Sequence, residues 1–204
     1  MASGIYRKAV TALGKIKVFK YPMFIQYQPR GYRVTGEEIE RVMGLAKEGD
    51  YLIRGYYDYL DSHLIPGFFT HAGYYCGNNK VIHAVSEGIG PIHLIDFCKC
   101  DYLAIRRDPE ANAEDAARAT QRAVALVGGD YDVDFKENNR DQYCTELVQT
   151  IWLNRIGLRR LQFRFLWAKR SVFLPDQLYT SPRLTTVFES SEVSSGLKSI
   201  YKLS

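Results

Sequence analysis

Two short strand-like runs, Phe69–Tyr75 and Lys80–Val85, flank the tripeptide Gly77-Asn78-Asn79. Gly and Asn tolerate the left-handed backbone of tight turns, so this spacing predicts an antiparallel hairpin. A lone hairpin is marginal in water. Further strands are expected at Tyr51–Arg54, Ile92–Phe97 and Tyr102–Ile105, each short and apolar.

Helices are expected between these strands. Thr35 followed by Glu38 is a capping-box signature for a helix over 36–47, with Ile39, Val42, Met43 and Ala46 as its buried stripe. An Ala-rich stretch over 109–127 predicts a second helix, with Asp108 as N-cap and Gly128-Gly129 as its stop. A third helix is expected over 142–154, with Asp141 as N-cap. At 204 residues, 46 % apolar and 25 % charged, the chain suits one soluble domain of the α/β or α+β class. The expected organisation is a basic aromatic segment over 1–34 with a short helix near Ile5–Ile16, a domain over 35–185, and a Ser-rich tail over 186–204.

The third helix carries the first chemical signal. With Asp141 as N-cap, Cys144 takes the third helical position, where the partial positive charge of the helix N-terminus favours thiolate. The hairpin carries the second. A three-residue loop over Cys76–Asn78 sets His71 directly across from His83 on one sheet face. One His71 nitrogen then faces the thiol while His83 holds the other. Glu87, beside Gly88, is the rival for the orienting role. His63 and His93 are expected at the surface.

Several segments resemble, in order, the YiiX-like branch of the circularly permuted, NlpC-type papain-like superfamily. They are Glu48-Gly49-Asp50-Tyr51-Leu52-Ile53, the run from Leu64 to Tyr75 containing Thr70-His71-Ala72-Gly73, and Val81-Ile82-His83-Ala84. Downstream follow Gly129-Asp130-Tyr131-Asp132, Tyr143-Cys144-Thr145-Glu146 and Leu174-Pro175-Asp176-Gln177-Leu178. The resemblance implies an α+β, permuted papain-like fold, in which a nucleophile helix packs on a central antiparallel sheet. It implies Cys144 as nucleophile, His71 as base and His83 at the third position, where many YiiX-like sequences carry Glu. A histidine there is closer to the retinoid acyltransferase branch and to ordinary NlpC-type enzymes.

The implied reaction is amide hydrolysis through an acyl-enzyme, on a peptidoglycan-type peptide, an isopeptide or a lipid-linked amide. Tyr131 or Tyr143 would join the Cys144 amide in the oxyanion site. Lipid acyl transfer or thioester hydrolysis is the first alternative, and a non-catalytic binding domain the second.

Cys98-Lys99-Cys100 with His93 lacks the ligand spacing of a zinc site, so these thiols are expected half-buried on a strand, and no metal or cofactor is expected. Seven Lys and Arg with no acid over 1–36, and six over 147–175, allow an anionic surface as a partner of the N-terminal segment. No nucleic-acid motif accompanies that charge. With no signal-peptide pattern and no spanning apolar run, a cytoplasmic location is expected.

Overall fold

The computed structural model describes residues 16–18, 25–27, 31–56, 67–132, 141–165 and 168–193. The chain divides into two compact units, 1–32 and 33–204. In the first, β1 (Ile16–Val18) pairs antiparallel with β2 (Ile25–Tyr27). The helix expected near Ile5–Ile16 lies outside the described residues, except that Ile16 belongs to β1.

The second unit is built on a six-stranded antiparallel sheet. Its strands are β3 (Tyr51–Gly55), β4 (His71–Tyr75), β5 (Lys80–Val85), β6 (Gly88–His93), β7 (Tyr102–Arg107) and β10 (Thr185–Glu189), in the order β10-β7-β3-β4-β5-β6. Successive side chains leave a strand on opposite faces. Tyr51, Ile53, Ala72, Tyr74, Ile82 and Ala84 therefore share one core with Leu147, Val148 and Ile151 of helix α4 (Cys144–Ile151). Burying those three α4 side chains contributes about 1.5–3 kcal/mol each. On the other face, Leu52, Tyr75, Val81, Leu103 and Ile105 pack with Val42 of α1 (Gly36–Leu45) and with Leu94 and Phe97 of α2 (Leu94–Phe97).

Helix α1 begins at the expected capping box. Glu38 N–H donates to Thr35 Oγ1, and Thr35 N–H to Glu38 Oε2. Helix α3 (Ala113–Leu126) starts later than expected, because Asn112 rather than Asp108 forms its capping box, with Asp115. Asp108 is occupied elsewhere, accepting from the Glu110 amide and from Arg155 Nε. The strand expected over Ile92–Phe97 ends at His93, whose Nδ1 accepts from the Ile95 amide and caps α2.

Cys98 and Cys100 do not lie half-buried on a strand. Both are fully buried in the turn between α2 and β7, with Cys100 Sγ donating to the Cys98 and Tyr102 carbonyls. Beyond α4, β8 (Leu161–Phe165) and β9 (Ala168–Val172) form a separate hairpin, and α5 (Pro175–Thr180) leads to β10. The region expected as a tail from 186 thus contributes an edge strand, with Phe188, Ser190 and Val193 buried. Among the described residues no helix is long and apolar enough to cross a membrane.

Candidate active site

The hairpin of β4 and β5 turns through Gly77-Asn78-Asn79, all three with positive φ. Pairing runs Tyr75↔Val81, Tyr74↔Ile82 and Gly73↔His83. His71 is thus not directly across from His83, as the three-residue loop required, but two residues along the same face. That diagonal is within reach of long side chains. His71 Nε2 and His83 Nδ1 meet at 2.9 Å, with the rings edge to face. Phe97 closes the pair from below, its ring centroid 5.8 Å from His71 and 6.1 Å from His83. Gly73 makes room for that ring, since a Cβ there would stand 2.9 Å from Phe97 Cε2 and 2.6 Å from Val81 Cγ1.

The ring partner of His71 is His83 rather than Glu87, whose carboxylate accepts from Ser86 Oγ and reaches the pair only as a charge that opposes the lowering of His83. His93 is exposed and caps α2, as a surface residue should. His63 lies outside the described residues.

Cys144 is the first residue of α4, not the third, and its N-cap is Tyr143 rather than Asp141. The β4–β5 pairing explains where its sulfur goes. The Cys76 amide donates to the Lys80 carbonyl, so the Tyr74 and Ala72 amides, two and four residues earlier, also face β5. Pairing stops at Gly73↔His83, however, and leaves the Ala72 amide at the open end of the ladder. There it lies near the Cys144 thiol and favours its ionised form, and the thiol lies 3.8 Å from Thr145 Oγ1. The imidazoles leave the sheet on the face opposite α4, and the thiol lies where the two strands part, beside the residue that follows His71.

Burial sets the resting protonation. It pushes the Cys144 thiol above its ordinary pKa, against the opposing pull of the Ala72 amide, the Thr145 hydroxyl and amide, and its own amide. Burial likewise drives His71 well below the usual imidazole value, helped by Arg54 and His83. His83 falls to about 4 through burial and Arg54. Thiol and imidazoles are therefore neutral at neutral pH. The expectation of a standing thiolate is not met, because desolvation outweighs the helix N-terminus.

The two tyrosines differ. Tyr143 Oη accepts from the Phe173 amide at 2.7 Å, drawn toward β9. Tyr131 packs against the α4-side core, its hydroxyl raised first by burial and then by the neighbouring Cys144 and Asp132.

Two supporting residues escaped the sequence reading. Asp176 in the first turn of α5 accepts from the Phe68 and Phe69 amides, both at 2.7 Å, and so clamps the chain just ahead of His71. Gly67, at φ 123°, leaves the space for that carboxylate. Arg54, the register partner of His71 on β3, is buried beside the imidazoles. Both contacts join residues far apart in the chain, and no local pattern announces them.

Residues 46–188 match the model of the permuted papain-like amidase enzymes, the YaeF/YiiX, C92 family. The chain belongs to this family. It is 24 % identical over 148 residues to the YiiX protein of Escherichia coli K12, a match covering 58 % of this chain and 73 % of that one. The solved structure of YiiX from Escherichia coli O157:H7, described as a metalloprotein, superposes with a TM-score of 0.60 at 20 % identity. It covers 72 % of this chain and 98 % of the other, and supports the same α+β fold.

Proposed function

We propose that the chain is a cysteine-nucleophile amidase in which Cys144 attacks the amide carbonyl and His71 is its base. The observation that carries this reading is the Cys144 thiol lodged at the open end of the β4–β5 ladder, beside the residue after a histidine whose Nε2 is held by His83. With Nε2 engaged, Nδ1 of His71 is the nitrogen left for the thiol proton. Because both groups rest neutral, the proton moves as the sulfur attacks. His71 then returns it to the leaving nitrogen, and water releases the acyl group from the sulfur with the same imidazole as base.

The Cys144 amide, in the first turn of α4 where amides lack helical partners, faces the developing oxyanion. Tyr131 is the better second donor, since the Tyr143 hydroxyl is drawn to Phe173.

The description of the Escherichia coli relative as a metalloprotein is a statement about that protein. Among the described residues no three His, Cys, Asp or Glu side chains gather as a metal site requires. His71 Nε2 and His83 Nδ1 are also spent on each other at 2.9 Å.

The test is turnover of a panel of acyl-peptide p-nitroanilides, with intact-mass detection of an acyl adduct. We expect release by the wild type and an adduct on Cys144. Cys144→Ala should abolish turnover, and His71→Ala should lower it by about 10²–10⁴-fold. Turnover that survives Cys144→Ala would refute the assignment.

A further inference from the structure

Arg54 is held differently from Arg107, Arg155 and Arg106. Arg107 grips Asp50 with its Nε–Nη2 edge, at 2.6 Å and 2.7 Å, and Arg155 Nε holds Asp108 at 2.6 Å. Arg106 engages both terminal nitrogens, on Thr186, Ser181 and Leu184, and leaves Nε alone. Arg54 is only 9 % exposed, yet among the described residues no carboxylate pairs with it. Its Nη1 donates to the Phe97 carbonyl at 2.9 Å, and its guanidinium lies 4.4 Å over the Phe97 ring and 5.5 Å from that of Tyr56. Nε is buried without a hydrogen-bond partner. The edge left over, Nε with Nη2, is the one that Arg107 uses for a carboxylate.

A desolvated guanidinium without a counter-ion is costly, and buried charges are ordinarily paired. The free edge has a planar two-pronged geometry that matches a carboxylate. Its place in the fold is specific as well. Arg54 is directly across from His71 in the β3–β4 register, and Phe97 carries Arg54, His71 and His83 around one ring.

Resting on the amidase reading above, we infer that Arg54 is the substrate anchor of this site, and that the substrate is an amide carrying a free carboxylate near the scissile bond. The anchor would also act on the base. The unpaired guanidinium is one cause that holds His71 and His83 in their neutral forms. A bound carboxylate offsets that charge, so His71 accepts the thiol proton more readily when an anionic substrate is present.

The test uses the full chain and two matched probe pairs. In Cys144→Ser protein, the Arg Nε–Hε signals are followed by heteronuclear NMR during titration with N-acetylglycine or its neutral counterpart N-acetylglycinamide at constant ionic strength. The Arg54 signal is assigned by its loss in Arg54→Lys. A saturable shift with the acid and none with the amide is expected; no shift, or equal shifts, overturns the inference whether or not the protein is an amidase.

In the wild type, N-bromoacetylglycine and N-bromoacetylglycinamide compete for Cys144. We expect the acid to alkylate about tenfold faster, with saturation, as one anchored anion would produce. Arg54→Gln should erase the advantage of the acid over the amide, although loss of the charge also alters the base and so the rate of both probes, and Arg54→Lys should keep part of that advantage. Equal rates in the wild type count against the anchor, whereas failure of both probes to label Cys144 counts against the amidase reading and leaves the NMR result to decide Arg54.

Discussion

Removing the Asp176 carboxylate should loosen the base strand from a distance. Its two oxygens each accept a backbone amide at 2.7 Å, one from Phe68 and one from Phe69, and both donors are buried residues. Hydrogen bonds to a charged acceptor contribute about 1.5–3 kcal/mol each, and partial rehydration of the freed amides lowers the sum, so Asp176→Ala should cost about 2–4 kcal/mol. With a urea slope near 2 kcal/mol per molar, the unfolding midpoint should drop by about 1–2 M. Asp176→Asn retains one acceptor and turns an NH₂ onto the other amide, so it should recover little. Hydrogen exchange of the Phe68 and Phe69 amides should accelerate together in both variants, and turnover should fall because His71 begins the strand that these amides lead into. A midpoint change below about 0.3 M, with Phe68 and Phe69 exchange unaltered, would refute the clamp.

The buried imidazole pair should make stability depend on pH. His83, depressed to about 4, and His71, depressed well below its ordinary value, bind fewer protons folded than unfolded, so stability should decline as pH falls from about 6.5 toward 4. His83→Gln should flatten that decline in urea melts run across the range, and an unchanged slope would contradict the protonation states assigned here. Cys98, its thiol pushed up to about 12, and Cys100, pushed well above the ordinary thiol value, are both fully buried and should resist iodoacetamide at neutral pH until the protein unfolds. Native labelling of either, seen by peptide mass mapping, would place them wrongly. Gly73→Ala should destabilise by about 1–3 kcal/mol by forcing Phe97 and Val81 aside, and should impair turnover through the displaced histidines. A variant as stable and active as the wild type would show that the imidazole platform is not close-packed.

What could be read from the residues was local. The Thr35/Glu38 capping box and the bounds of β5 follow from side chains within a few positions of one another, and both stand as expected. The His71–His83 pairing was legible up to its register, because a two-residue slip keeps both rings on the same face. Helix starts fared less well where several polar residues compete. Asn112 takes the cap because Asp108 is held by Arg155, a contact 47 residues away that no window reveals. The Leu94–Phe97 run is apolar enough to pass for strand, and only the His93 ring over the Ile95 amide turns it into helix. The thiol's protonation is hidden for a similar reason, since the helix N-terminus is visible in sequence and the desolvating walls around Cys144 are not.

The chain order of the site bears on how the protein is made. Synthesis delivers β4 and β5 together, so the hairpin that holds the imidazole pair can close from neighbouring residues. Helix α4, with its sulfur, leaves the ribosome only after β6, β7 and α3. A nascent chain therefore carries both histidines before it carries Cys144. The reactive pair is completed only when α4 docks on strands that precede it, β3 to β7, while β10 and the Asp176 clamp are still to come.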